Sequence, residues 1–175
     1  MILCPIQNTA VLKQGWTQVR PVVTQEFGSR PEFYKKLTGG KLKAHEGTDL
    51  RAKTGTQIFA PIDGYVQVRD SGDVGYGKHV AIRNPFKALE IKIAHLSEFQ
   101  VVDGQTVQMG DKIALSGNTG SSSADHLHIC GRLLKPTGED VWKWPILNAK
   151  NGYQGYFDLK DKMICWKGSL TKNSL

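Results

Sequence analysis

Five histidines, His45, His79, His95, His126 and His128, are the side chains whose chemistry most needs placing. The segment AHEGTDL at 44–50 sets His45 and Asp49 four apart. In an extended chain, side chains at i, i+2 and i+4 share a face. His45 and Asp49 then point the same way, and Gly47 between them leaves room for an ion or a substrate. One imidazole and one carboxylate are two ligands of a type that zinc accepts. Glu46 invites comparison with the helical H-E-x-x-H zinc motif, but position 49 is aspartate, and Gly47 and Thr48 are poor helix formers. Glu46 is expected to point away from the His45/Asp49 face and is set aside as a general base.

The segment SADHLHICGRL at 123–133 is more pointed. His126 and His128 alternate with apolar Leu127 and Ile129, so a strand here puts both imidazoles on one face. Two desolvated imidazoles need partners or a metal. IAHLSE at 93–98 adds His95 at the end of another alternating strand. Three protein ligands and an open position for water mark a catalytic zinc site. His45, Asp49 and one member of the HxH pair supply three. Two histidines then remain to deprotonate water, orient it or stabilise an oxyanion.

The elements that must hold these residues read as strands. VVTQEF at 22–27, TQIFAP at 56–61, GYVQVRD at 64–70, KHVAIRN at 78–84 and LEIKIAHL at 89–96 are β-branched or alternate at period two. GSRP, PIDG, SGDVGYG and RNPF bound them with turn chemistry. YKKL at 34–37 could begin a short helix but runs into Gly39–Gly40. An all-β core between about 20 and 135 follows. TGTQIFAPIDGYVQVRD and DGQTVQMGDKIALSGNTG echo one another as two strand–turn–strand units. Beyond Pro136, Trp142, Trp144, Tyr153, Tyr156 and Trp166 read first as a satellite core packed on the sheet. The expected layout is an N-terminal segment 1–20, a core 21–135 and a C-terminal extension 136–175 whose TKNSL tail frays.

Composition limits the partners. The chain has 175 residues, 19 of them glycine, and a formal charge of +7. That charge invites an anionic polymer. The positive residues are scattered, with no aromatic–basic ribbon of the kind that binds nucleic acid, so no nucleic-acid partner is expected. No apolar run approaches the ~18 residues of a membrane span, and the start MILCPIQNTAVLKQGW lacks the regions of a secretory signal. Cys4, Cys130 and Cys165 have no CxxC spacing and read as buried or free thiols of a reducing compartment. GDVGYGKH at 72–79 nearly spells a phosphate loop, but His79 stands where Ser or Thr would hold magnesium. It is a glycine-rich hairpin, and His79 a structural or exposed residue.

From VTQEFG at 23–28 to HLHICGRL at 126–133 the sequence resembles the lysostaphin-type zinc endopeptidases of bacterial cell walls. His45–Asp49, APIDGYV at 60–66, GYGK at 75–78, AHLS at 94–97, GQTVQMGDKIALSGNTG at 104–120 and HLH at 126–128 carry the resemblance in order. It implies an antiparallel β-sheet groove with few short helices and one zinc per chain. Its ligands would be His45, Asp49 and His128, with His95 and His126 as the catalytic pair. The implied substrate is a peptide bond of peptidoglycan, attacked by zinc-activated water without an acyl-enzyme. Ile129, Cys130 and GRLLKP depart from the family's usual continuation, and Cys130, on the strand face of His128, is expected to be a bystander. The alternative is a catalytically inactive wall-binding or regulatory module of the same fold. A signal-less chain further suggests a phage lysin or virion component, made in the cytoplasm and released to the wall.

Overall fold

Short alternating segments stopped by glycine turns leave the backbone few options besides a meander of paired strands. The computed structural model describes residues 2–6, 22–160 and 162–164. In chain order the elements are β1 (Ile2–Leu3), β2 (Val23–Gln25), α1 (Pro31–Leu37), β3 (Thr48–Leu50), β4 (Gln57–Phe59) and β5 (Gly64–Asp70). There follow β6 (Lys78–Asn84), β7 (Leu89–Phe99), β8 (Thr106–Val107), β9 (Lys112–Ser116) and β10 (Leu127–Leu133). A 3-10 turn (Val141–Lys143), β11 (Tyr156–Phe157) and β12 (Met163–Ile164) complete the described chain. The architecture is therefore antiparallel β with one short helix, as the patterning predicts. That helix starts three residues before YKKL, because Pro31 suits a first helical position, and it stops just before Gly39–Gly40.

The main sheet runs β2-β3-β10-β7-β6-β5-β8, with β11 beside β10, and β9 joining β4 to β7. The two echoing sequence units pair with each other: β4 with β9 and β5 with β8. Strands β6, β7 and β10 form the sheet's centre, and their alternation sorts two faces. Val80, Ile82, Ile91, Ile93, Leu127 and Ile129 are all 0% exposed and enter the apolar core. Each such side chain stabilises the fold by roughly 1.5–3 kcal/mol. The other face carries His79, Ala81 and Arg83 on β6, Glu90, Lys92 and Ala94 on β7, and His128, Cys130 and Arg132 on β10.

Strand β7 changes partners midway. Leu89–Ala94 lie beside β10, whereas Leu96, Glu98 and Phe99 pair with β9. The switch falls at His95, whose φ of 60° is unusual for a residue with a Cβ. Its N–H leaves the ladder and donates to the Tyr76 carbonyl at 3.0 Å.

The C-terminal segment packs in two places. Val141, Trp144 and Leu134 make a small second apolar cluster with Trp142 against it, and Tyr156 is buried beside β10. The Tyr153 ring lies 4.6 Å from Phe27. Trp166, Cys165 and the TKNSL tail lie outside the described residues, as does most of segment 1–20.

The expectation of free thiols fails at Cys4, which is disulfide-bonded to a partner outside the described residues. Linear spacing could not show this, because β1 and β12 lie in parallel and bring the two ends of the chain together. Cys130 is free and buried. No helix among the described residues is long and apolar enough to cross a membrane.

Candidate metal centre

Register brings the first ligands together. His128 of β10 stands opposite Asp49 of β3 on one side and Ala94 of β7 on the other. His45 precedes β3 in a loop rather than a strand, tied by its backbone to Gly28 and Ser29. Three atoms converge: Nδ1 of His128 lies 2.9 Å from Oδ1 of Asp49, and Nε2 of His45 lies 3.1 and 3.2 Å from these two. They form the one group among the described residues whose ligand atoms could hold a metal ion, and all three residues are buried.

Backbone carbonyls set the tautomers. A carbonyl only accepts, so a ring nitrogen bonded to one carries the proton. Nδ1 of His45 donates to the Glu26 carbonyl at 3.0 Å, which turns Nε2 inward toward Asp49. His95 does the same with the Thr119 carbonyl at 2.7 Å, and His126 with that of Ala124 at 2.8 Å. His126 Nε2 lies 3.6 Å from Oδ2 of Asp49, and the His95 ring is 4.7 Å from that of His126. The structure thus gathers all five candidate residues into one site.

Burial pushes the His95 imidazole down to about 4, with the neighbouring His128 and His126 adding to the effect against the Thr119 hydrogen bond. It is neutral at ordinary pH and can accept a proton. For Asp49, burial acts upward, but hydrogen bonds from His128 and His45 outweigh it and hold the carboxyl well below the usual carboxylate range. The group that could hold a metal ion therefore offers two imidazoles and an ionised carboxylate.

Gly47 has a different role from the one its position suggests. A Cβ there would meet His128 Nε2 at 2.6 Å and the Ile129 carbonyl at 2.7 Å. The space it clears is filled by the imidazole of His128, not by an ion or substrate. Glu46 contributes no atom to the ligand group, yet it is only 6% exposed and accepts a 2.7 Å hydrogen bond from the Tyr76 hydroxyl. His79 stays outside the group and donates to the carbonyl of Gly77 in its own hairpin. Cys130 is fully buried, and that burial pushes its thiol up to about 12, which keeps it protonated.

Several contributors carry no sequence signal. Tyr34 of α1 stacks on His45 at 5.2 Å, and Tyr76 packs 5.6 Å from His128. The carbonyls of Glu26, Thr119 and Ala124 belong to every sequence equally, so only the fold reveals them.

Comparison with known proteins agrees with this geometry. The chain is 38% identical over 89 residues to the peptidoglycan DD-endopeptidase ShyC of Vibrio cholerae, covering 51% of this chain and 20% of that protein. Among solved structures, it resembles a zinc-containing peptidase from Vibrio cholerae with 27% identity and a TM-score of 0.56, over 74% of this chain and 35% of the other. The catalytic domain of lysostaphin from Staphylococcus simulans shares the fold, with 21% identity and a TM-score of 0.62 over 81% and 91% of the two chains. The chain spans about a fifth of the length of the first curated relatives it matches. Residues 43–137 match the model of peptidase family M23, and the chain belongs to that family.

Proposed function

We propose that this chain is a zinc-dependent endopeptidase acting on the peptide bonds of bacterial peptidoglycan. The observation that carries the reading is the convergence of three ligand atoms at 2.9–3.2 Å beside two further imidazoles whose Nε2 atoms are free. Two nitrogens and a carboxylate oxygen suit zinc and leave a fourth position open. The orphaned, buried Nε2 of His128 supports the fit, because the ring is committed to presenting Nδ1 inward. His45, Asp49 and His128 would hold one zinc per chain.

When bound, zinc supplies Lewis acidity, lowering the pKa of water and polarising a carbonyl. The protein supplies the proton handling. His95, neutral and fixed by Thr119, offers Nε2 as the acceptor of a water proton. His126 presents Nε2 beside Asp49, where, once protonated, it can stabilise negative charge on a tetrahedral oxyanion. No nucleophilic side chain is required, and the Cys130 thiol is too buried and too weakly acidic to serve as one.

The names of the relatives support a cell-wall substrate, and the +7 charge favours encounter with an anionic polymer. The Cys4 disulfide is of a kind that persists where thiols are oxidised, which supports action outside the cytoplasm, after release. The test is zinc content together with mass spectrometry of muropeptides released from purified walls. About one zinc per chain is expected, with release abolished by a chelator and restored by zinc. Release that survives complete removal of the metal would sink the reading. A zinc-loaded protein that binds walls but releases nothing would instead establish a wall-binding module.

A further inference from the structure

The four histidines around the site are not held alike. His45, His95 and His126 each donate Nδ1–H to a backbone carbonyl, which fixes tautomer and ring together. His128 is turned the other way. Its Nδ1 faces Asp49 and His45, while its Nε2 is buried without a hydrogen-bond partner. A neutral imidazole that offers Nδ1 as a lone pair carries its proton on Nε2. With a metal on Nδ1, as the zinc reading requires, that proton points into the interior with nothing to receive it, an arrangement proteins rarely leave unmatched.

One neighbouring acceptor is equally unmatched. Glu46 is nine-tenths buried, its Oε1 is taken by the Tyr76 hydroxyl, and its Oε2 has no partner. Two contacts tie the residue, through its neighbours, to the outer edge of His128. Gly47, the next residue, lies against the imidazole at Nε2 itself. The Tyr76 ring, anchored through its hydroxyl on Glu46, packs on the His128 ring. Burial holds the Tyr76 hydroxyl protonated, so it remains a donor and keeps Oε1 occupied. Oε2 is the oxygen left over.

We propose that Glu46 is the positioning residue of His128: its Oε2 takes the Nε2 proton through one buried water and holds Nδ1 toward the metal. The bridge matches both orphaned atoms at once, and the carboxylate's charge raises the basicity of Nδ1. Glu46 touches no reacting atom. Its role rests on the zinc reading above and deepens it, with Tyr76 as the brace that orients the carboxylate.

The test uses the full chain carrying Glu46→Ala or Glu46→Gln. Zinc affinity is measured by competition with a chromogenic chelator, and the His128 ring proton is followed by nitrogen-edited NMR of the zinc-loaded protein. Glu46→Ala is expected to bind zinc about 10–100-fold more weakly. Glu46→Gln keeps the shape and an acceptor oxygen but not the charge, and should fall between. In the unsubstituted protein the Nε2 proton resonates downfield and exchanges slowly; in both variants it moves upfield and exchanges faster. Should Glu46→Ala fail to fold, Glu46→Gln decides on the same two readouts. Unchanged affinity and unchanged ring-proton shift in a folded variant overturn the positioning role and leave the metal site standing. Failure of the unsubstituted chain to bind zinc overturns the site itself.

Discussion

One face of the central sheet carries two buried polar clusters, and they are built on opposite rules. At one end of β7 and β10, Glu90 lies between Arg83 and Arg132, with nitrogen–oxygen distances of 2.6 and 2.7 Å. Arg83 also donates to the Val141 carbonyl at 2.7 Å, and the Trp142 ring covers its guanidinium at 4.8 Å. Arg132 lies over Tyr156. The Arg132–Glu90 contact is a charge pairing off the ideal hydrogen-bond line, but both charges are matched. Two strand positions along from Arg132 and Glu90 lie Cys130 and Lys92, and two further on lie His128 and Ala94. Around His128, one carboxylate is shared by two imidazoles. His128 and His45 both hydrogen-bond Asp49, and the three ligand atoms converge closely enough to hold a single ion. The first cluster pairs its charges with one another, whereas the second gathers three ligand atoms that could hold a cation. Burial alone does not distinguish a structural cluster from a functional one. The convergence of metal-binding atoms on one point does.

Substitutions should separate the two clusters cleanly. The largest effect is expected at the open one: Asp49→Ala or His128→Ala removes a ligand, so muropeptide release falls to the level of a blank and zinc content drops with it. Stability of the metal-free protein should fall only modestly, by the hydrogen bonds that Asp49 shares with His128 and His45. Marked unfolding of these variants would show that the cluster is structural after all. His95→Ala comes next. Zinc should be retained while turnover drops by about 10²–10⁴, and loss of metal from this variant would move His95 into the ligand set. At the closed cluster the pattern inverts. Glu90→Ala leaves the buried Arg83 and the half-buried Arg132 without a counter-charge and should cost about 3 kcal/mol in denaturant unfolding. The folded fraction should still bind zinc with unchanged affinity.

Much of this contrast was legible before the fold was known, and the illegible part has a physical pattern. The period-two spacing of His126, Leu127, His128 and Ile129 gives both the strand and its polar face, because alternation is a local property. The His45–Asp49 spacing places two ligands together, although His45 reaches the site from a loop and not from a strand. Gly47 reads locally as room for an ion or substrate, whereas the space is taken by His128, more than eighty residues away in the chain. Glu46, set aside as a general base because its side chain should point off the His45/Asp49 face, accepts a hydrogen bond from Tyr76 of the β5–β6 hairpin, a contact with no local signal. The Cys4 disulfide and the Arg83–Glu90–Arg132 cluster depend likewise on strands far apart in sequence. What the chain does locally is written in its residue types; which acceptors are left over after folding is not.

Acid should resolve the two clusters by where each begins to fail. Burial acts to raise the carboxyl of Glu90, but the charges and hydrogen bonds of Arg132 and Arg83 outweigh it and hold it below its ordinary value of 4.5. The unfolded chain then takes the proton first as pH falls. This contribution is fully present above about 4.5 and is lost as pH drops through the folded value. His95 acts in a higher window. It is pushed down to about 4 from an ordinary 6.5, so the unfolded state again binds the proton first, and stability declines from about 6.5 toward 4. Denaturant midpoints of the metal-free protein should therefore fall in two stages as the buffer is acidified. His95→Ala should shrink the upper stage, leaving the share of His79, whose imidazole burial also pushes below its ordinary 6.5. Glu90→Gln should lower the midpoint at neutral pH, with its deficit shrinking below about 4.5 as the carboxylate of the unsubstituted protein is also neutralised. A single acid limb, insensitive to His95, would mean that the open cluster does not titrate apart from the closed one.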